Sequence, residues 1–369
     1  MRTRHVLGLL APDTRKDAAV ETLRGLACFL LVAYHVRGGD PGSGLRLPTG
    51  SPWSYLVDSL VYLRMPLFSF LSGVVYAHRP VRSGYPSFLR GKARRLLVPL
   101  LTIGTLFAVV QGLTGADDGG ATPPWYLWHV VPVAHFWFLE SIFWVVLLIA
   151  ALDRFHVLDR PATVVGVIAA AVVADLVVPV PQNVLGLGTA FFLLPFFLSG
   201  IAAQRFDWRT SSPLRLRAAV VAVAVGLTAY SQLGLAGYVQ VLPAHDNALS
   251  TVLGITACLS LLLVRWRVVP LMVVGSFSFT IYTCHVFATS GVRMVLAELG
   301  IESVSVNMVL GTAAGLAFGV VVELLARQNR WSAALVLGRR RPGRRDLALA
   351  TGSTATMAEQ RRRRSTAAE

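Results

Sequence analysis

His35 stands in an apolar run, residues 26–36 (LACFLLVAYHV), eleven residues after Arg24 and fourteen after Glu21. Eleven residues are about three helical turns, so on a helix Arg24 and His35 share a face, about 16 Å apart along the axis. Glu21, three residues before Arg24, falls on that face as well. An imidazole is suited to take a proton near neutral pH. In a soluble domain a histidine in such a run reads as a satisfied core residue. In a lipid-spanning helix polar groups are costly and mark a pathway or a site. The reading of His35 therefore depends on whether its segment crosses lipid.

Other chemistry-bearing side chains recur in apolar surroundings. The stretch YLVDSLVYLRMPLFSFLSG carries Asp58, Arg64, Ser72 and Gly73. Arg64 reads either as half of an ion pair with Asp58 or Glu21, or as a substrate or oxyanion contact. Ser72-Gly73 reads either as a small-residue packing step or as a contact to substrate. In HFWFLESIFW, Trp137 and Glu140 are substrate candidates, and the plainer reading of Glu140 is a carboxylate neutralised by an intramembrane arginine. In GSFSFTIYTCHVFA, Ser278, Tyr282 and His285 recur at i, i+4 and i+7, a polar stripe expected to face a helical bundle. Tyr282 and His285 either serve the substrate or hydrogen-bond neighbouring helices. The cluster Arg90, Lys92, Arg94 and Arg95 reads as topogenic charge, as a grip for a phosphorylated donor, or as both.

The elements that must position these groups are membrane helices. The chain of 369 residues is 54% hydrophobic and 14% charged, with mean hydropathy +0.61; soluble domains are about 25% charged. Ten segments approach the 20 or so apolar residues needed to cross a bilayer: 18–36, 55–77, 96–113, 135–152, 162–179, 184–203, 217–234, 246–264, 269–290 and 304–325. With both termini cytoplasmic, the inner segments hold 29 of the 34 basic residues, while the outer ones hold Arg37, Arg46 and Arg293. That alternation is the positive-inside pattern. The net charge of +15 is thus mostly topogenic and gives no reason to expect nucleic acid as a partner.

The expected architecture is an all-α polytopic bundle. It comprises a cytoplasmic segment 1–17, a membrane domain 18–325 and a basic tail 326–369. Residues 323–337 are expected to form an amphipathic helix on the inner surface. The basic stretch 78–95 reads as an inner loop, and Trp125, Tyr126 and Trp128 as an interfacial belt or re-entrant segment. Cys28, Cys258 and Cys284 all fall within spans, with neither a disulfide framework nor metal-ligand spacing, so no metal is expected.

At this point an ordered set of motifs resembles a known family. ETLRGLACFLLVAYH is similar to the first-helix signature of the acyltransferase 3 family of integral membrane acyltransferases, with Leu23, Arg24, Gly25 and His35 matching. RMPLFSFLSG, FLRGKARRLLVP, HFWFLESIF, FLLPFFLSGI and SFTIYTCH resemble its later motifs in the right order. Glu21 departs from the pattern, in which aspartate is the commoner residue. The resemblance implies transfer of an acyl group, commonly acetyl, from acyl-CoA as co-substrate to a hydroxyl of a saccharide, glycolipid or glycosylated metabolite, without a further cofactor. It implies a catalytic set of His35, Arg24 and Glu21, with His35 as general base and an arginine or a backbone N–H at the oxyanion. Arg90, Lys92, Arg94 and Arg95 would then meet the CoA phosphates. The expected location is a bacterial plasma membrane. The competing reading is a proton-coupled transporter or flippase, for which broken helices would be expected at corresponding places in two halves; the sequence shows no such repeat.

Overall fold

In lipid a backbone must satisfy its own hydrogen bonds, which leaves the helix as the form for isolated apolar segments. The computed structural model describes residues 17–38, 44–48, 50–78, 84–114, 123–179, 181–243, 245 and 247–339, and these contain helices and turns but no strand. The expected N-terminal segment before Asp17 and the tail beyond Arg339 lie outside the described residues.

Helix α1 spans Ala18–Arg37. The Asp17 carboxylate caps it by accepting from the N–H groups of Ala19 (2.9 Å) and Val20 (3.2 Å), and Gly38, at φ 98°, ends it. Helix α2 (Pro52–Asp58) starts from a Ser51 cap with proline in the first turn, where a missing N–H costs nothing. It leads into α3 (Val61–His78), and α4 (Tyr85–Pro99) passes through a π-helical turn at Leu100–Gly104 into α5 (Thr105–Thr114). There follow α6 (Trp137–Arg154), α7 (Pro161–Val177), α8 (Leu187–Arg205), α9 (Leu214–Leu235), α10 (Ala248–Leu263), α11 (Val269–Ser276), α12 (Ser278–Glu298), α13 (Val304–Ala326) and α14 (Arg330–Leu337).

Among the described residues, seven helical stretches are long and apolar enough to cross a membrane, and α11 with α12 would make an eighth if taken as one broken span. The chain is thus a multi-pass membrane protein. Helices α7 and α10, of 17 and 16 residues, are apolar but shorter, and coincide with two further segments marked by the sequence.

Three boundaries differ from expectation. The basic stretch expected as a loop is helical from Tyr85 onward, because Pro86 sits harmlessly in the first turn and Leu, Arg, Lys and Ala are good helix formers. Segment 269–290 is not one helix: α11 and α12 meet at Phe277 with an 86° bend. The expected inner helix at 323–337 is shorter, because α13 continues to Ala326 and α14 begins only after the Asn329 cap.

Two glycine pairs fix the packing. The Cα of Gly73 abuts the Phe197 carbonyl, and that of Gly200 abuts the Phe70 carbonyl, so a side chain at either would collide with the partner's backbone. This brings α3 and α8 together along one of the most extensive helix contacts in the molecule, as small residues commonly do in membranes. The similar runs PLFSFLSG and PFFLSG are the two halves of that contact. The second pair joins α1 to the bent half-helix α11, where Gly25 faces the Leu271 carbonyl and Gly275 the Glu21 carbonyl.

Side-chain contacts near the helix ends join like with like. Segments expected outside meet in Arg37–Asp58 (2.5 Å), Tyr55–Gln232 (2.6 Å) and Trp53–Ser305 (3.3 Å). Segments expected inside meet in Arg209–Asp17 (2.6 Å), Arg205–Asp153 (2.7 Å) and Arg209 to the Leu262 carbonyl (2.9 Å).

Candidate functional site

Three helical elements bring three imidazoles together. His35 comes from the last turn of α1, His285 from α12, and His135 from the 3-10 turn Ala134–Phe136 that precedes α6. Ring centroids are 4.7 Å apart for His35 and His285, 5.0 Å for His135 and His285, and 5.6 Å for His35 and His135. His285 is fully buried and His135 nearly so, while His35 is half-buried.

The hydrogen bonds assign the tautomers. Nδ1 of His285 lies 2.8 Å from the Ile281 carbonyl and 2.9 Å from that of Tyr282. Both are acceptors, so Nδ1 carries the hydrogen and Nε2 keeps a lone pair. That lone pair faces Nδ1 of His35 at 3.2 Å, and the same Nδ1 is 2.9 Å from the Leu31 carbonyl. With acceptors on both sides, Nδ1 of His35 is the protonated nitrogen, which leaves its Nε2 as a free base. In an imidazolium the hydrogen on Nδ1 would keep both of these partners.

Neither ring nitrogen of His135 has a hydrogen-bond partner, although the ring is packed edge-on against Phe107 (5.3 Å) and Tyr282 (5.6 Å). The Tyr282 hydroxyl donates to the His135 backbone carbonyl, tying α12 to the 3-10 turn. Glu140 is buried with both carboxyl oxygens unpartnered, so the arginine pairing weighed for it is not formed. Trp137 opens α6 half-buried beside Phe138. Arg64 pairs with neither Asp58 nor Glu21: Asp58 is held by Arg37, and the Arg64 guanidinium carbon lies 3.4 Å over the Tyr34 ring. Tyr34 in turn meets the His35 ring edge-on at 5.1 Å. The Ser72 hydroxyl donates to Phe68 of its own helix (2.8 Å), beside the glycine contact described above.

Arg24 and Glu21 lie at the far end of α1. They pair at 3.2 Å, and Glu21 also accepts from Ser276 (3.2 Å). The charges of Lys92 and Arg95 act on Arg24, and Arg339 acts on Arg95. Arg327 and Arg339 reach Glu323 at 2.5 and 3.4 Å, and Thr280 donates to the same carboxylate. Arg94 donates to the Gly338 carbonyl (3.0 Å), while Arg90 is exposed. The structure thus divides the expected catalytic trio: His35 sits at one end of α1, Arg24 and Glu21 at the other, in a cationic cluster shared with α4 and the C-terminal residues. Arg327 and Arg339 were not among the candidates.

His135 is the other addition. It is the first letter of HFWFLESIF, and its signal in the sequence is a histidine two residues before Trp137 and five before Glu140.

No curated protein and no solved structure matches the chain. A family model described as an acyltransferase domain matches residues 17–327, which takes in both ends of α1, all three histidines and the whole bundle. The chain therefore belongs to the acyltransferase 3 family of membrane acyltransferases.

Proposed function

We propose that this acyltransferase moves an acyl group, commonly acetyl, from acyl-CoA to a hydroxyl of a saccharide or glycosylated acceptor at the histidine cluster. The observation that carries the reading is the contact between Nε2 of His285 and Nδ1 of His35, because it orients His35 and leaves its Nε2 free to take a proton. The acceptor hydroxyl attacks the thioester carbonyl as Nε2 of His35 accepts its proton, forming the ester bond and a tetrahedral oxyanion. The oxyanion then collapses, the carbon–sulfur bond breaks, and His35 returns the proton to the CoA sulfur. His285 is a positioning residue that steadies the imidazolium through Nδ1. A neutral His135 carries one unpartnered N–H, a fitting donor for the oxyanion. The Tyr282 ring borders this cluster, 5.6 Å from that of His135, and Trp137 and Glu140, in the first turn of α6 just after His135, are assigned to the acceptor.

The inner cluster takes the donor. Arg24, Lys92, Arg95 and Arg339 supply charge for the phosphates of CoA, and about 16 Å of helix between Arg24 and His35 suits a long pantetheine arm threaded between the two. Both termini are cytoplasmic and the chain crosses ten times, counting α7 and α10. This count is supported by the end contacts: Arg205 reaches Asp153 across α7 and α8, and Arg209 reaches Leu262 across α9 and α10, each needing an even number of crossings between. The host compartment is a bacterial plasma membrane.

The test is incubation of the reconstituted protein with labelled acetyl-CoA and a host glycan extract, beside its His35→Ala variant. Label retained in saccharide by the wild type alone is expected. Equal transfer by the variant would overturn the base assignment.

A further inference from the structure

Between α1, α2 and α13 lies a cavity of about 440 Å³, within the range of about 300–1,000 Å³ typical of small-molecule sites. Its wall is apolar, with Phe29, Ala33, Leu56, Met308 and Ala313 among the lining side chains, and one cation, Arg64. Phe29 and Leu56 are about half exposed, so the cavity opens sideways on the face that meets lipid. Arg64 is only 9% exposed, and its Nη1 has no hydrogen-bond partner. A buried guanidinium nitrogen left unpaired is costly and calls for an acceptor. The nearby charges do not supply one. The carboxylate whose charge reaches Arg64 is Asp58, and Asp58 is bonded to Arg37, at 2.5 Å. One positive charge therefore remains at the head of an apolar, laterally open pocket.

We infer that this cavity holds the lipid part of the acceptor: an amphiphile whose aliphatic chain fills the pocket and whose phosphate pairs with Arg64. The inference rests on the functional reading above and names its acceptor class, a lipid-linked saccharide. A planar guanidinium suits a phosphate because it offers two parallel donors. A second distance agrees. Arg64 lies 3.4 Å over the Tyr34 ring, which lies 5.1 Å from the His35 ring. A phosphate on Arg64 thus stands one aromatic ring away from the base, and the hydroxyl presented to His35 belongs to a sugar close to that phosphate. The donor's acyl end carries no anion, so it leaves Arg64 unanswered.

Binding can be read without acyl-CoA, so that failure of this inference is separable from failure of the transfer reading. The full chain in zwitterionic nanodiscs is titrated with a radiolabelled, photoactivatable polyprenyl phosphate, with the matching polyprenol as uncharged control and phosphatidylglycerol as competitor. The phosphate is expected to bind about tenfold or more tighter than the polyprenol. Arg64→Gln should erase that preference and Arg64→Lys should keep part of it. Ala313→Trp, at a position exposed at the pocket, should weaken the phosphate probe about tenfold while CoA binding persists. Equal binding of phosphate and alcohol, or a preference that survives Arg64→Gln, would overturn the inference. So would displacement by an equal amount of phosphatidylglycerol, which would mark a general phospholipid site, or loss of long-chain acyl-CoA binding alone in Ala313→Trp, which would assign the pocket to the donor.

Discussion

At the His35 end of α1 three imidazoles face one another among aromatic rings, with Arg64 held off behind Tyr34. At the Arg24 end five cations, Arg24, Lys92, Arg95, Arg327 and Arg339, gather around two carboxylates, Glu21 and Glu323. One region is built of imidazoles, which change charge near neutral pH, the other mainly of guanidinium groups, which keep it. Proton transfer needs a side chain that is a base before the reaction and an acid after it, which imidazole provides and guanidinium does not. Holding a polyphosphate needs fixed positive charge. On the function proposed above, a single helix joins the two tasks, and its rigid length sets the distance between them.

This division can be broken by substitutions that should split the kinetic constants. The largest effect is expected at His35→Ala: loss of the general base should lower kcat by about 10²–10⁴-fold, read as labelled acyl transfer. His285→Ala should lower kcat less, because the base remains but loses its orientation. His285→Gln, whose side-chain carbonyl can accept from Nδ1 of His35, should recover part of the loss, whereas a merely structural role would not distinguish the two variants. At the other end, Arg24→Ala and Arg95→Ala should raise KM for the donor by about tenfold or more, at roughly 1.5–3 kcal/mol per charged hydrogen bond, with kcat little changed. Added salt should mimic that loss of affinity.

Two further substitutions test the frame that holds the ends apart. Gly25→Val drives a side chain into the Leu271 backbone, and such overpacking costs about 1–3 kcal/mol; the melting temperature should fall. Asp17→Ala should cost about 1 kcal/mol by removing the α1 cap. Partial burial alone would push the Asp17 carboxyl up, but its bonds to Arg209 and to the backbone of Val20 and Ala19 hold it below its usual value. A carboxyl whose folded pKa is depressed stabilises above its unfolded pKa of about 3.9. Its contribution is therefore present at neutral pH and disappears as pH falls below about 4. The difference in melting temperature between wild type and Asp17→Ala should shrink in that window.

Much of this was legible in the sequence, and the omissions have physical causes. The apolar segments and the alternation of arginines mark the helices, because lipid leaves a backbone few alternatives. His35 stands out against its run, and the stripe of Ser278, Tyr282 and His285 marks a helix face turned into the bundle without naming the group that meets His35. His135 carries no helical period that points to a face, because it sits on a 3-10 turn at a segment boundary. The bend between α11 and α12 has no proline at its centre; it is matched instead to the Gly25–Gly275 contact, a tertiary feature with no local signal. The Arg24–His35 spacing was readable from the helix rise. The contrast between the two ends has no local signal, because it rests on contacts between distant segments: Lys92, Arg95 and Arg339 around Arg24, and two further histidines around His35.

The most direct test of this division is equilibrium binding of labelled acetyl-CoA to purified His35→Ala and Arg24→Ala proteins, compared with wild type. The account predicts wild-type affinity in His35→Ala, despite its lost transfer, and weakened binding in Arg24→Ala. Loss of donor binding in His35→Ala, or undiminished binding in Arg24→Ala, would contradict it.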